Sequence, residues 1–115
     1  MFIRKGLPGN YWNKLDNKIF TLDMSPGAKV LYAFLLSTHD GAVWTDEAIK
    51  DALGISRNTL LRQKKELREN NLLLVEQIQP RIYVAYLGHT NKSAEKVKLE
   101  WKKEDGLSKL FKDKK

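Results

Sequence analysis

The side chains best able to do recognition chemistry lie between Ala52 and Arg68. Ala52-Leu53-Gly54-Ile55-Ser56-Arg57-Asn58-Thr59-Leu60 sets a glycine, an aliphatic residue and a hydroxyl ahead of a basic stretch, and residues 57–68 hold five basic side chains against one acid. Arginine donates in pairs to O6 and N7 of guanine, asparagine pairs with N6 and N7 of adenine, and threonine meets a thymine methyl or a phosphate. At about 100° per residue, Lys64 and Leu67 share the face of Leu60, whereas Asn58, Thr59, Arg62, Lys65, Glu66 and Glu69 fall on the opposite one. Asn58, Thr59 and Arg62 are therefore the expected base-reading residues. Ser56, Arg57, Lys64, Lys65 and Arg68 are the expected phosphate contacts, with the stem of Lys64 lying along the core and its ammonium reaching the surface.

No constellation for bond-making chemistry accompanies them. The chain has no cysteine, and its two histidines, His39 and His89, are far apart in sequence, so neither a metal site nor a cofactor is expected. His39 beside Asp40 precedes a glycine turn with no nucleophile assigned to it and reads as a surface loop residue. The expectation is no catalytic residue and no small-molecule substrate. The longest apolar run, Val30 to Leu36, is far below the ~18 residues that cross a bilayer. With no apolar signal core behind Met1, a cytoplasmic protein without membrane contact is expected.

The elements that must position the basic stretch are legible from their caps. Ser25-Pro26 opens a helix that runs to about Ser37, and its apolar Val30–Leu36 core predicts a hub covered on most sides. Asp40-Gly41 is a turn and Ala42-Val43-Trp44 a short strand. Thr45, with Asp46 and Glu47 behind it, caps a second helix that ends at Gly54. Ser56 caps the third, which ends at Asn70-Asn71, where asparagine takes the left-handed conformation. Then the period becomes two. Residues 72–78 and 81–87 flank Gln79-Pro80 as a hairpin, with Gln77, Gln79 and Arg81 at its end. Phe2-Ile3-Arg4 reads as a short strand, and the aromatics Trp12, Trp44, Tyr83 and Tyr86 read as core.

This order of elements is that of a winged helix-turn-helix, a small α+β domain of three helices and a hairpin wing. Residues 20–87 resemble the winged-helix domain near the start of plasmid and phage replication initiators and related bacterial regulators. The resemblance rests on Leu22–Leu36 with its Ser-Pro-Gly-Ala-Lys-Val-Leu-Tyr opening, on Leu53–Leu60, and on Lys65–Leu73. It departs at Lys50, where a small alanine usually packs at the turn, and at Lys64, where an aliphatic residue is usual. A recognition helix shifted by these lysines would hand more of the reading to the wing. The resemblance implies specific binding to double-stranded DNA, often at repeats and commonly as a homodimer, in replication initiation, DNA transfer as a relaxosome accessory, or transcription control. A protein-interaction module without specific DNA binding is the alternative use of such a domain.

Charge is unevenly spread. The chain carries net +7 over 115 residues, with net +3 in residues 1–90 and net +4 in residues 91–115. Residues 1–90 are expected to form the domain and 91–115 a lysine-rich extension, made of a linker and a charged helix of about ten residues that Gly106 interrupts. Its lysines alternate with Glu95, Glu100, Glu104 and Asp105, a pattern typical of a solvated helix. Val97, Trp101, Leu107, Leu110 and Phe111 are its apolar residues, expected to clasp a second copy or to dock on the chain's own domain.

Overall fold

The computed structural model describes the backbone of residues 1–7, 10–11, 15 and 17–113, and the side chains of 1–5, 15 and 17–103. Its elements are β1 (Phe2–Leu7), β2 (Asn10–Tyr11), a 3-10 turn (Asn17–Thr21), α1 (Pro26–Ser37), α2 (Asp46–Leu53), α3 (Arg57–Glu69), β3 (Leu73–Gln79), β4 (Ile82–Leu87) and α4 (Ala94–Asp113). The protein is a small α+β domain. Its four strands lie in the order β2-β1-β4-β3.

Each helix begins where a side-chain oxygen can accept an otherwise orphaned N–H. Ser25, Thr45 and Ser56 are extended residues whose hydroxyls accept from Ala28, Ala48 and Thr59. Gly54 closes α2 in the left-handed conformation, φ 65°, and Asn71 takes φ 61° just after α3. Both were expected from residue type. α1 is less enclosed than its composition suggests: Leu31, Tyr32, Leu35 and Leu36 are buried, but Val30 is 55% exposed, because one stripe of the helix faces away from the sheet.

β3 and β4 form the expected antiparallel hairpin, with a register shift between Gln77 and Gln79. β1 pairs parallel with the other edge of β4, placing Phe2 beside Val84 and Lys5 beside Leu87. Residues 42–44 make only an isolated bridge, Phe2 with Val43, and they run beside β1 instead of the hairpin. Ile3 N–H donates to Ala42 O at 2.8 Å and Trp44 N–H to Met1 O at 2.8 Å. The edge of β4 that residues 42–44 would otherwise take is already filled by β1.

Strand parity divides the interior into two layers. Ile3, Leu73, Ala85 and Leu87 join Leu31, Tyr32, Leu35, Ile49, Leu60 and Leu67 in the main core. On the opposite face Val84 and Tyr86 pack with Val97 and Trp101 of α4, flanked by Phe2 and Leu74. Both faces of the hairpin are covered over Leu73–Val75 and Val84–Leu87, which is why these stretches read as continuous apolar runs, while the turn end is exposed. The extension is thus part of the fold through Trp101. Arg4 lies between the rings of Phe2 and Trp101, 4.6 and 4.1 Å from their centroids, and pairs with Asp40 at 3.4 Å. Lys98 and Lys102 hold Glu76 at 2.7 and 2.6 Å.

One expectation for the extension is corrected here, and of the two uses expected for its apolar residues the structure shows docking on the chain's own domain for Val97 and Trp101. α4 runs through Gly106 as one helix of 20 residues, since a single interior glycine costs only about 1 kcal/mol relative to alanine. Val97 is fully buried and Trp101 8% exposed against the chain's own sheet, so neither is available to clasp a second copy. Trp12 and the side chains of Leu107, Leu110 and Phe111 lie outside the described residues. Among the described residues, no helix is long and apolar enough to cross a membrane.

Packing of α4 sets two expectations. Trp101→Ala, by removing the largest side chain of the second layer, lowers unfolding free energy by about 3–5 kcal/mol in urea titration; a loss below about 1 kcal/mol would mean that α4 is not docked in solution. Hydrogen bonds from Lys102 and Lys98 hold the Glu76 carboxyl below its ordinary value of 4.5. A depressed folded-state pKa gives a contribution that is complete above pH 4.5 and is lost as pH falls through the folded value. Glu76→Gln therefore shrinks the loss of stability on acidification below that point, read from thermal melts across pH 3–6.

Candidate nucleic-acid interface

α3 is set on the domain by one buried stripe, Leu60, Gln63 and Leu67, and by a polar clamp to the start of α1. Glu66 accepts from the Ser25 N–H at 3.0 Å and from its hydroxyl at 2.7 Å. These bonds hold its carboxyl below the ordinary range. Helical projection placed Glu66 on the outward face. In the fold it turns toward α1, because a long side chain at the margin of the stripe reaches an N-cap beside it. Gln63 is 5% exposed and fills the space that Gly27 leaves by having no side chain, a contact that helical spacing alone allowed but residue polarity concealed.

Lys64 shows the same displacement. Its side chain is 13% exposed and its ammonium lies 3.0 Å from Asp46 Oδ1, so this lysine joins α3 to the start of α2 instead of standing free for a phosphate. Lys50, the other departure at the turn, is drawn back along α2 by Glu47 at 2.8 Å and Asp51 at 3.6 Å, and its carbonyl accepts from Gly54 and Ile55. The α2–α3 turn therefore closes around a lysine without burying its charge.

The outward face of α3 carries Asn58, Leu61, Arg62 and Lys65, all exposed and spaced i, i+3, i+4, i+7, so they form one stripe. Leu61, 46% exposed, was missing from the sequence-based set; an aliphatic side chain among cations on a solvent face was the signal. Arg57 and Arg68 stand exposed at the two ends of the helix. Thr59 is half-buried, and its hydroxyl accepts from Ser56 Oγ at 2.9 Å, so Ser56 and Thr59 serve the cap first. Lys65 lies 4.0 Å from Glu69. Gln77, Gln79 and Arg81 are exposed at the hairpin end, and Tyr83, expected in the core, is 42% exposed.

Arginine pairing is sharply divided. Arg4 has a carboxylate partner, whereas Arg57, Arg62, Arg68 and Arg81 make no ion pair among the described residues. All four lie on α3 or at the hairpin turn. Comparison with family models, with curated proteins and with solved structures finds no match.

Loss of the α3 cap is expected to be felt at this face. Ser56→Ala lowers stability by about 1 kcal/mol, and hydrogen exchange at Arg57, Asn58 and Thr59 accelerates more than at Leu67; uniform protection along α3 would show that Ser56 does not hold its first turn.

Proposed function

We propose that this chain is a winged helix-turn-helix domain that binds specific sites in double-stranded DNA, with α3 as recognition helix and the β3–β4 hairpin as wing. The observation that carries the reading is the segregation of unpaired arginines onto α3 and the hairpin turn around an exposed Asn58-Leu61-Arg62-Lys65 stripe. Three guanidinium groups on α3 and one at the hairpin turn gain nothing from standing without an ion pair, whereas each is matched to a phosphate or a guanine edge. Asn58 and Arg62 read bases, Leu61 offers apolar contact to a thymine methyl, and Arg57 and Lys65 meet phosphates. One recognition helix reads only a few base pairs, so the chain acts as a homodimer on paired half-sites about 10 bp apart. Repeated sites on a bacterial plasmid or phage, used in replication initiation, transfer or transcription control, are the setting that the sequence resemblance suggests.

Selection of bound sites from random duplex tests this directly. Against the selected site, Arg62→Ala and Asn58→Ala each weaken binding by about 1–3 kcal/mol and leave binding to random duplex nearly unchanged. Equal loss on both duplexes would reduce these residues to backbone contacts. A chain that elutes from duplex DNA at low salt and enriches no sequence would instead favour a docking module that contacts protein.

A further inference from the structure

Val97 and Trp101 of α4 cover Val84 and Tyr86, but Ile78 and Ile82, nearer the hairpin turn on the same face of the sheet, stay exposed. Between them, Phe2 and Trp101 lies a cavity of about 310 Å³. That volume is at the small end of the range of ligand sites and holds one small molecule. Among the described residues, the charged members of its walls are Arg4 and Lys102. The cavity is on the face of the sheet turned away from the main core and α3, so a ligand there does not depend on the DNA-binding reading.

Arg4 is held in place within this apolar wall. Its guanidinium lies 4.6 Å from the Phe2 ring centroid and 4.1 Å from that of Trp101, so both aromatic faces order it. Among the described residues its one hydrogen bond runs from Nη1 to Asp40 Oδ2 at 3.4 Å, longer than an ordinary N–H···O bond. The other oxygen of Asp40 accepts from the Lys5 N–H at 2.9 Å. A guanidinium has about five N–H donors, and most of those of Arg4 are therefore unused. Lys102 and Lys98 share Glu76 at 2.6 and 2.7 Å. Around the cavity Arg4, Lys98 and Lys102 thus outnumber Asp40 and Glu76 by one charge, and neither carboxylate is part of its walls. A neutral apolar guest would leave the arginine donors unanswered, whereas a carboxylate accepts from the fork in pairs.

We infer that this cavity binds a small monocarboxylic acid with an apolar body, its aryl or branched alkyl group packed on Ile78, Ile82 and Trp101 and its carboxylate accepting from the Arg4 donors that Asp40 leaves unused. Asp40 and the two rings fix the guanidinium before the acid arrives, which lowers the ordering cost of binding. Lys102 adds its charge at the rim while it remains on Glu76. The acid touches β1, the hairpin and α4 at once and joins the three elements of the second layer.

The test is an NMR titration of the isotope-labelled full chain with phenylacetate, indoleacetate and isovalerate. At least one of these acids gives saturable shifts at the Ile78 and Ile82 amides and the Trp101 indole N–H, with Kd of about 1 mM. Failure of all three to approach saturation at about 10 mM overturns the site. The corresponding primary amide binds about tenfold more weakly or worse; equal binding of acid and amide would overturn the carboxylate recognition. Arg4→Lys keeps the charge but loses the planar fork, and weakens binding about fivefold or more. Ile82→Glu puts a like charge in an exposed part of the wall and abolishes binding, with a thermal melt confirming that the chain is folded. Wild-type affinity in folded Ile82→Glu, or shifts confined to α3, would place the acid elsewhere and overturn the proposal.

Discussion

β4 has to be covered on both faces and both edges, and the positions of the other elements follow from meeting that requirement. Its alternate residues Ala85 and Leu87 face the main core, and Val84 and Tyr86 face α4. Its edges are taken by β1 and β3. Where β4 ends, Gly88 lies so close to the Asn71 carbonyl and to the Ala94 and Lys92 backbone that a β-carbon would collide with them. Its N–H donates to Leu72 at 2.9 Å and its carbonyl accepts from the buried Tyr32 hydroxyl at 2.7 Å. The end of α3, the end of the hairpin, the centre of α1 and the start of α4 are thus fixed at one glycine, which sets the angle between α3 and the hairpin.

The basic face inherits its rigidity from this junction and from contacts that use up the other polar groups of α3. Glu66 is committed to Ser25, Lys64 to Asp46, and Gln63 to the surface of α1. A buried lysine plays a similar part elsewhere: Lys5 is 6% exposed and its ammonium donates to the Leu36 carbonyl at 2.9 Å, satisfying the last turn of α1, which has no basic residue of its own. With the marginal residues pinned inward, the remaining exposed side chains of α3 form a single stripe.

Much of the fold was legible because caps are local. Ser25, Thr45, Gly54, Ser56 and Asn71 each announce a boundary by the conformation that residue type favours, and all five boundaries fall where they indicate. The parallel pairing of β1 with β4 was not legible, since it joins residues about eighty apart and depends on the far end of the chain. Nor was the second layer: Val97 and Trp101 look like unpartnered apolar residues in a charged tail until the parity of Val84 and Tyr86 shows what lies beneath them. At the candidate interface, projection separated Leu60 from Asn58 and Arg62 correctly. It misplaced Glu66 and undervalued Leu61, because an angle gives a direction and not what waits there.

The division between lysine and arginine is the remaining regularity, and it has a chemical reason. Lys5, Lys50, Lys64, Lys92, Lys98 and Lys102 all turn their ammonium groups onto carbonyls or carboxylates of the chain itself, work for which a compact point charge on a flexible stem suffices. Arginine offers five donors in a planar fork that matches a carboxylate, a phosphate or a guanine edge two bonds at a time. Among the described residues four of the five arginines make no ion pair, all within α3 and the hairpin turn. Net charge alone, more than half of it in the last quarter of the sequence, does not mark a binding face: the lysines there include the pair that binds α4 to the sheet through Glu76. What distinguishes the basic face is the kind of cation left without a partner, and that selection supports a ligand of fixed, planar or tetrahedral oxygen geometry over a diffuse attraction to any polyanion.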